Sequence, residues 1–449
     1  MTSTKWNKIL PSVPLNEIPK VKKEIISELP HLNAKDIRRY KIPYNEAVLH
    51  ELREEGSYEA AEYFKCLLNI DEERRISAGR NTSIWNEPKL KDNKELIDYL
   101  LNFLTNFFQH TISDSKKATA LIKTALVTET LSSEWWWITD VLYRTAFWIV
   151  KEIRDSDEQL RMISLLRFVY GRFLFHKMNN ARAALEHVRK AQRSSREKPW
   201  SISMVLDVKH EMLFMQCCTL MHKVLLSIAR EVCNNQPQVA VNSCKVALTA
   251  AIESGQEELV AEAQFELGKS QIAIKNVKQA LKCLYKSLAI MEKIFDPIGM
   301  CEAYSQLANV YKEMNEDKKV LEHLQKLKDT ATNYQLPNKL AEAHYLAGEY
   351  YLYRGNPTEA SLNFESAFSL YNGLGAKETN LVRCLTGVSR GQELLHAFQA
   401  LLVQCIGGNV DATLQILNWK DRGEPFEEKP MPDKSTLFIR MGNQIFSPN

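Results

Sequence analysis

The triplet in this chain most suggestive of chemistry is Gly268-Lys269-Ser270, which copies the end of a phosphate-binding loop. Such a loop cradles phosphates on backbone N–H groups. It needs another glycine five residues before the second one, where this chain has Ala263, and it must follow a strand, whereas helical spacing runs through this segment. Gly373-Leu374-Gly375 opens a dinucleotide fingerprint, but the third glycine would fall at Glu378. There is no CxxC, no His pair at i, i+4 beside an acid, and no nucleophile elbow. The ten histidines stand singly and read as structural residues. The expectation is a chain with no catalytic, cofactor-binding or metal-ligating residue, and hence no enzyme. Trp135-Trp136-Trp137 is a different matter. Three consecutive residues cover about 300° of a helix, so at least one is expected to face solvent or a partner, and tryptophan is enriched at interface hot spots.

The elements carrying these residues follow a ruler. Glu262-Ala263, Glu302-Ala303 and Glu342-Ala343 are spaced 40 residues apart. Five residues beyond each pair is a small residue (Gly268, Ala308, Gly348), and twelve further are Ala280, Val320 and Ala360. Strict periodicity of this length is the mark of a stacked helical array, and such arrays bind. Stepping back one period puts Ile228, Ala240 and Ala247 in a weaker fourth unit. Tyr170-Gly171 and Ala183 suggest a fifth out of register, with an insertion around Arg193 to Met204. The prolines test the ruler independently, because a helix-interior proline costs about 3 kcal/mol or more. Pro237 and Pro357 fall between the two helices of a unit, Pro297 and Pro337 between units, and Pro199 in the insertion.

Outside the ruler, helical spacing begins near Asn45 and continues through strongly apolar helices to about 160. After the third unit, Ala376 to Phe398 reads as a further helix pair, and Asp411 to Trp419 as a last short helix. The expected organisation is a basic, poorly ordered segment 1–44, a divergent helical region 45–160, a repeat array 161–371, capping helices 372–423 and a loose tail 424–449.

Hydrophobic residues at 45% and charged residues at 25% place the chain among soluble globular proteins. A net charge of +3 gives no global field for nucleic acid or an anionic membrane. The basic excess is local: residues 1–45 hold nine Lys/Arg against four Asp/Glu, a solvated tail or an arm for an acidic surface. Asp140 and Arg144 interrupt the most apolar stretch, so no membrane span is expected. Nine scattered cysteines and no signal-peptide pattern suggest reduced thiols in the cytoplasm.

Small residues at positions 8 and 20 of a helix–turn–helix unit, with large apolar residues around them, resemble the tetratricopeptide repeat. Counting Gly268 as position 8, the expected fold is an all-α, right-handed tetratricopeptide-repeat α-solenoid with repeats of about 40 residues and a divergent helical N-terminal region. Three further segments resemble a tetratricopeptide-repeat family of motile cilia and sperm flagella. They are LREEGSYEAAEYF through RISAGRNTSIWNEPKL, then YGRFLFHKMNNARAALEHVRKAQRSSREKPW, then LQILNWKDRGE, colinear over about residues 35–425. The resemblance implies a non-catalytic axonemal scaffold, in the cytoplasm, cytoskeleton and cilium, whose partners are proteins rather than nucleic acid, membrane or a small molecule. The alternative is a general cytosolic adaptor of cargo-binding or cell-polarity type.

In such arrays partners lie along the first helix of each unit. The partner-binding residues this implies are Phe265, Lys269 and Ile272, then Ser305, Asn309 and Lys312, then Tyr345, Glu349, Leu352 and Tyr353. The Lys/Asn clamp that grips a C-terminal carboxylate is missing, because its positions hold Phe265/Lys269 and Ser305/Asn309. The glutamates at position 2 either face a partner or bond within the array. If the register is right, Ala360→Asp buries a charge at a helix crossing and destabilises the array by several kcal/mol; an unchanged thermal midpoint would refute it.

Overall fold

The computed structural model describes residues 19, 33–108, 113–203, 205–206, 211–423 and 426. Most of segment 1–44, residue 204 of the insertion and nearly all of the 424–449 tail lie outside these. Among the described residues the chain is helical, with one isolated antiparallel bridge between Ser201 and Met212. It divides into two compact units, Met1–Phe214 and Met215–Asn449.

The second unit carries the ruler. Its regular helices are α12 (Glu257–Ala273), α13 (Val277–Lys293), α14 (Pro297–Glu313), α15 (Asp317–Asn333), α16 (Pro337–Tyr353) and α17 (Pro357–Leu374). The period is 40 because two helices of 17 residues alternate with two turns of three. Each turn is closed the same way. The N–H groups of Asn276, Glu316 and Asn356 donate to the carbonyls of Gln271, Tyr311 and Tyr351 at 2.9, 3.0 and 2.9 Å, satisfying helix-end carbonyls. Lys275, Asn315 and Gly355, again 40 apart, take the left-handed conformation this requires. Pro237, Pro297, Pro337 and Pro357 are each the first residue of a helix rather than part of the turn before it. There the missing N–H costs nothing and the fixed φ suits the helix.

The paired helices approach closely because position 8 is small. A Cβ on Gly268 would lie 2.9 Å from Leu284, and one on Gly348 would lie 2.7 Å from the ring of Phe364. Ala308 packs in one cluster with Leu324. Gly268 is therefore a packing residue within α12, and the Ser270 hydroxyl donates back to the Glu266 carbonyl at 2.9 Å. Gly375 is the left-handed cap ending α17.

Upstream, α10 (Leu213–Val232) and α11 (Pro237–Ser254) form the weaker unit. Their connection, 233–236, is one residue longer than the regular turn. This slip places Ser227, not Ile228, five residues before the helix end, where Gly268 stands in α12; Ala240 is fully buried opposite.

The same slip occurs in the first unit between α8 (Ser156–His176) and α9 (Ala181–Ser195). A Cβ on Gly171 would lie 2.6 Å from Val188, and the fully buried alanine is Ala184, not Ala183. The four-residue connection shifts the crossing by one. Before this hairpin come α1 (Ala34–Lys41), α2 (Tyr44–Glu54), α3 (Tyr58–Ala78), α4 (Ser83–Asn86), α5 (Lys94–Phe107), α6 (Asp114–Glu129) and α7 (Trp136–Glu152).

Helix α1 lies inside the segment expected to be poorly ordered. Asn33 and Asp36 form a reciprocal capping box. Arg39 pairs with the buried Glu51 through bonds of 2.7 and 3.0 Å, and Arg38 pairs with Glu54. These two basic residues of the local excess thus face the chain's own carboxylates.

The tryptophan triplet also departs from expectation. Trp135 lies in a 3-10 turn before α7 and is buried; Trp136 and Trp137 are half-buried under Lys177 and Arg74, whose cations sit 5.3 and 5.4 Å from the ring centroids. Breaking the helix at Trp135 removes the angular argument that forces one ring outward. Asp140 accepts from the Tyr170 hydroxyl at 2.7 Å and pairs with Arg144.

Beyond α17, the expected helix pair is one continuous helix, α18 (Thr379–Ile406), followed by α19 (Val410–Arg422). Gly387 and Gly391 lie within α18 and neither is at a crossing: a Cβ at either position meets nothing within 4 Å. This gives a paired prediction. Gly348→Ala drives a methyl into Phe364 and lowers stability by about 1–3 kcal/mol. Gly387→Ala gains helix propensity and raises it by about 0.5–1 kcal/mol. Urea unfolding followed by circular dichroism reads both signs.

Candidate functional site

The first helix of each unit presents a face whose chemistry is largely occupied from within the array. Glu262 accepts from Arg230 at 2.8 Å and meets the Nε2 of His222 at 3.1 Å. His222 is fully buried, its other ring nitrogen 3.4 Å from the Ala247 carbonyl. The His222 bond foremost, with Arg230, holds the Glu262 carboxyl down at about 2. Arg230 also reaches the buried Glu266 at 3.0 Å. One period on, Lys339 bridges Glu302 at 3.2 Å and Glu342 at 3.0 Å. All three position-2 glutamates therefore bond within the array.

The expected partner-binding residues divide by depth. Phe265 and Ser305 are buried, with 7% and 4% of their surface exposed, so they form the floor of the face and offer a partner almost nothing. The reason is helical phase: four residues after a buried Ala261 or Cys301, position 5 still points at the next helix. Lys269 lies over the Phe265 ring at 5.5 Å, with its ammonium 3.4 Å from Glu266. Ile272 and Leu352 are half-buried against the core clusters. Tyr345 donates to Glu349 at 2.5 Å, and burial pushes its phenol pKa up. Asn309 and Tyr353 are exposed, and Lys312 spans two units to lie 5.0 Å above the Tyr353 ring. The structure thus brings Asn309, Lys312 and Tyr353 forward near the C-terminal ends of α14 and α16, and spends the rest on packing.

Beside the Glu262 network lies a cleft of about 400 Å³. Phe265 and Met291 supply apolar surface; Glu258, Glu262, Glu266, Asp296 and Glu302 supply carboxylates against the single guanidinium of Arg230. Ile298, half exposed, lines it. The adjacent Phe295 is 79% exposed in a left-handed conformation, at the position where Gly255, Gln335 and Gly375 stand in the other units. A bulky residue there is a backbone outlier. Its sequence signal was available: on the ruler, Phe295 is the odd residue of a column otherwise Gly or Gln. Sequence reading also missed an exposed heptad stripe on α18, formed by Leu381, Val388, Leu395 and Leu402.

Histidines act in packing. His323 is buried, stacks on Tyr311 with centroids 5.4 Å apart and bonds the Tyr285 hydroxyl at 3.1 Å; burial pushes its pKa down. Cys244 and Cys301 are buried thiols pushed up to about 11 by desolvation. Among the described residues no group of three or more His, Cys, Asp or Glu could hold a metal ion, and no helix is long and apolar enough to cross a membrane.

Helical hairpins with small position-8 residues, left-handed turns and a repeated first-helix face define a tetratricopeptide-type repeat protein. The chain is similar to tetratricopeptide repeat protein 29 of Homo sapiens, 20% identical over 343 residues, spanning 75% of this chain and 70% of that one. The Macaca fascicularis protein of the same name is 19% identical with the same coverage. No family model matches. Among solved structures, BtubC from P. vanneervenii is similar at 14% identity and TM-score 0.38, covering 57% of this chain and 92% of its own. The apo form of RapI is similar at 16% identity and TM-score 0.33, covering 57% and 91%.

The Glu262 network sets an acid limit. A carboxyl depressed in the fold contributes stability above its unfolded value and loses it as pH falls through its folded value. The window therefore runs from about 4.5 down to about 2. Glu262→Gln should flatten the stability profile across that window in an acid titration; an unchanged slope would remove the network's role.

Proposed function

We propose that this chain is a non-catalytic adaptor of the motile cilium or sperm flagellum, holding protein segments on the first-helix face of its second unit. The observation that carries the reading is selective occupancy. The position-2 glutamates, Lys339 and Arg230 are tied up inside the array, whereas Asn309, Lys312 and Tyr353 are left forward. A face that satisfies its buried charges internally and exposes an amide, an ammonium and a phenol suits an extended or helical peptide. Ile298 adds exposed apolar surface at the neighbouring cleft.

In this reading 161–371 is the array, 372–423 caps it, 45–160 is a divergent helical region, and 1–44 and 424–449 flank it. The likeness to tetratricopeptide repeat protein 29, with the colinear segments over about 35–425, supports the ciliary setting. A general cytosolic adaptor is the second reading, favoured if the protein is expressed in tissues without motile cilia.

Two measurements test the proposal. Tagged protein in spermatogenic or multiciliated cells should concentrate in the axoneme; uniform cytosolic staining with normal beating after deletion refutes the ciliary role. In proximity labelling, Lys312→Glu with Tyr353→Ala should lose at least half of the labelled partners at unchanged thermal midpoint. An unchanged partner set moves binding to another face.

A further inference from the structure

The first unit contains a second built cleft, of about 360 Å³, between α2, α3 and the segment 84–91, which runs from α4 into a 3-10 turn beginning at Leu90. This is the Trp-x-x-Pro stretch of the sequence, which the adaptor reading leaves unused.

The wall is held rigidly. Arg75, 5% exposed, donates to the carbonyls of Ile84, Trp85, Glu87 and Pro88 at 2.7 to 3.1 Å. Its Nε bonds Asp71, equally buried, whose other oxygen accepts from the Leu90 N–H at 3.0 Å. Arg74 adds a bond to Glu87 at 2.6 Å. A buried guanidinium with all these partners fixes the segment against α3, so the cleft is formed before anything binds.

Its lining has two characters. Leu49, Leu68 and Trp85 are half-buried, and Ile76 is 66% exposed at the mouth of the cleft. Around them stand Lys65, Lys89 and Lys91, exposed and without an ion pair among the described residues, and Arg80 lies over the Trp85 ring at 5.9 Å. Of the two carboxylates lining the cleft, Asp71 is consumed by Arg75, leaving Glu72 as the exposed counter-charge. The rim is net cationic over an apolar floor.

We propose that this cleft is a second docking site, which takes an acidic segment of a partner protein whose apolar side chain inserts between Ile76 and Trp85. The rim ammoniums supply complementary charge and the preformed floor supplies the anchor pocket. The inference is independent of the first-helix face, since it rests on residues 45–91 alone.

The test uses the full chain and a fluorescein-labelled peptide of mixed Glu and Asp carrying one Leu and one Phe, followed by fluorescence anisotropy. Saturable binding is expected, weakening as salt rises. Lys65→Glu with Lys89→Glu and Lys91→Glu should weaken it about tenfold or more. Ile76→Ser, at an exposed position, should weaken it several-fold, as should replacing the peptide's Leu and Phe by Ser. Circular dichroism and thermal midpoints of both variants should match the parent. The proposal is overturned by absence of saturable binding, by equal affinity in the triple variant, or by equal affinity of the peptide without its apolar residues. Binding of phosphatidylserine vesicles without binding of the peptide also overturns it, and makes the rim a lipid surface.

Discussion

The second unit depends on how closely two helices can cross. Where Gly268 meets Leu284, and Gly348 meets Phe364, the missing Cβ lets a large side chain of the second helix sit against the backbone of the first. Interiors are close-packed, so this contact fixes the hairpin angle and, through it, where the next hairpin stacks. The turns follow. A left-handed residue at 275, 315 and 355, and a backbone bond back to 271, 311 and 351, reverse the chain in three residues. When the connection is one residue longer, as at 177–180 and 233–236, the small residue moves one step and the ruler loses its grip.

Close stacking brings charged side chains of successive units into reach, and these determine what the face can offer. Glu262 is held from behind by His222 and Arg230; Lys339 is shared by Glu302 and Glu342. The repeated glutamate is thus a joint between helices. Asn309, Lys312 and Tyr353, which the joints omit, stand near the C-terminal ends of the same helices. In the first unit the corresponding role falls to Arg75, whose guanidinium holds four carbonyls of the short helix α4 and the stretch after it.

Much of the fold was legible in the chain because it repeats. Gly268, Ala308 and Gly348, with Ala280, Val320 and Ala360, report the crossing directly, and the prolines report helix starts. The candidate face was legible only as a list of positions. Phase alone does not separate Phe265, which is floor, from Tyr353, which is exposed, since both lie on one helical face and differ in what the next helix covers. Helix α1 was masked by the basic composition around it, although Asn33 and Asp36 carry a capping signature. The continuity of α18 was hidden by Gly387, which lies one residue off the small crossing position of the ruler, whereas the structure places it in an open helix interior.

The class of architecture, its 40-residue period and the absence of the familiar catalytic spacings are written in the chain alone, because these depend on local periodicity and on residue types that recur in register. Packing between helices settles which carboxylates are already bonded, which aromatics remain in solvent, and where the segment 84–91 is held. Those outcomes depend on side chains far apart in the chain meeting across helices, and an interaction between residues 32 or 40 positions apart leaves no mark on either one alone.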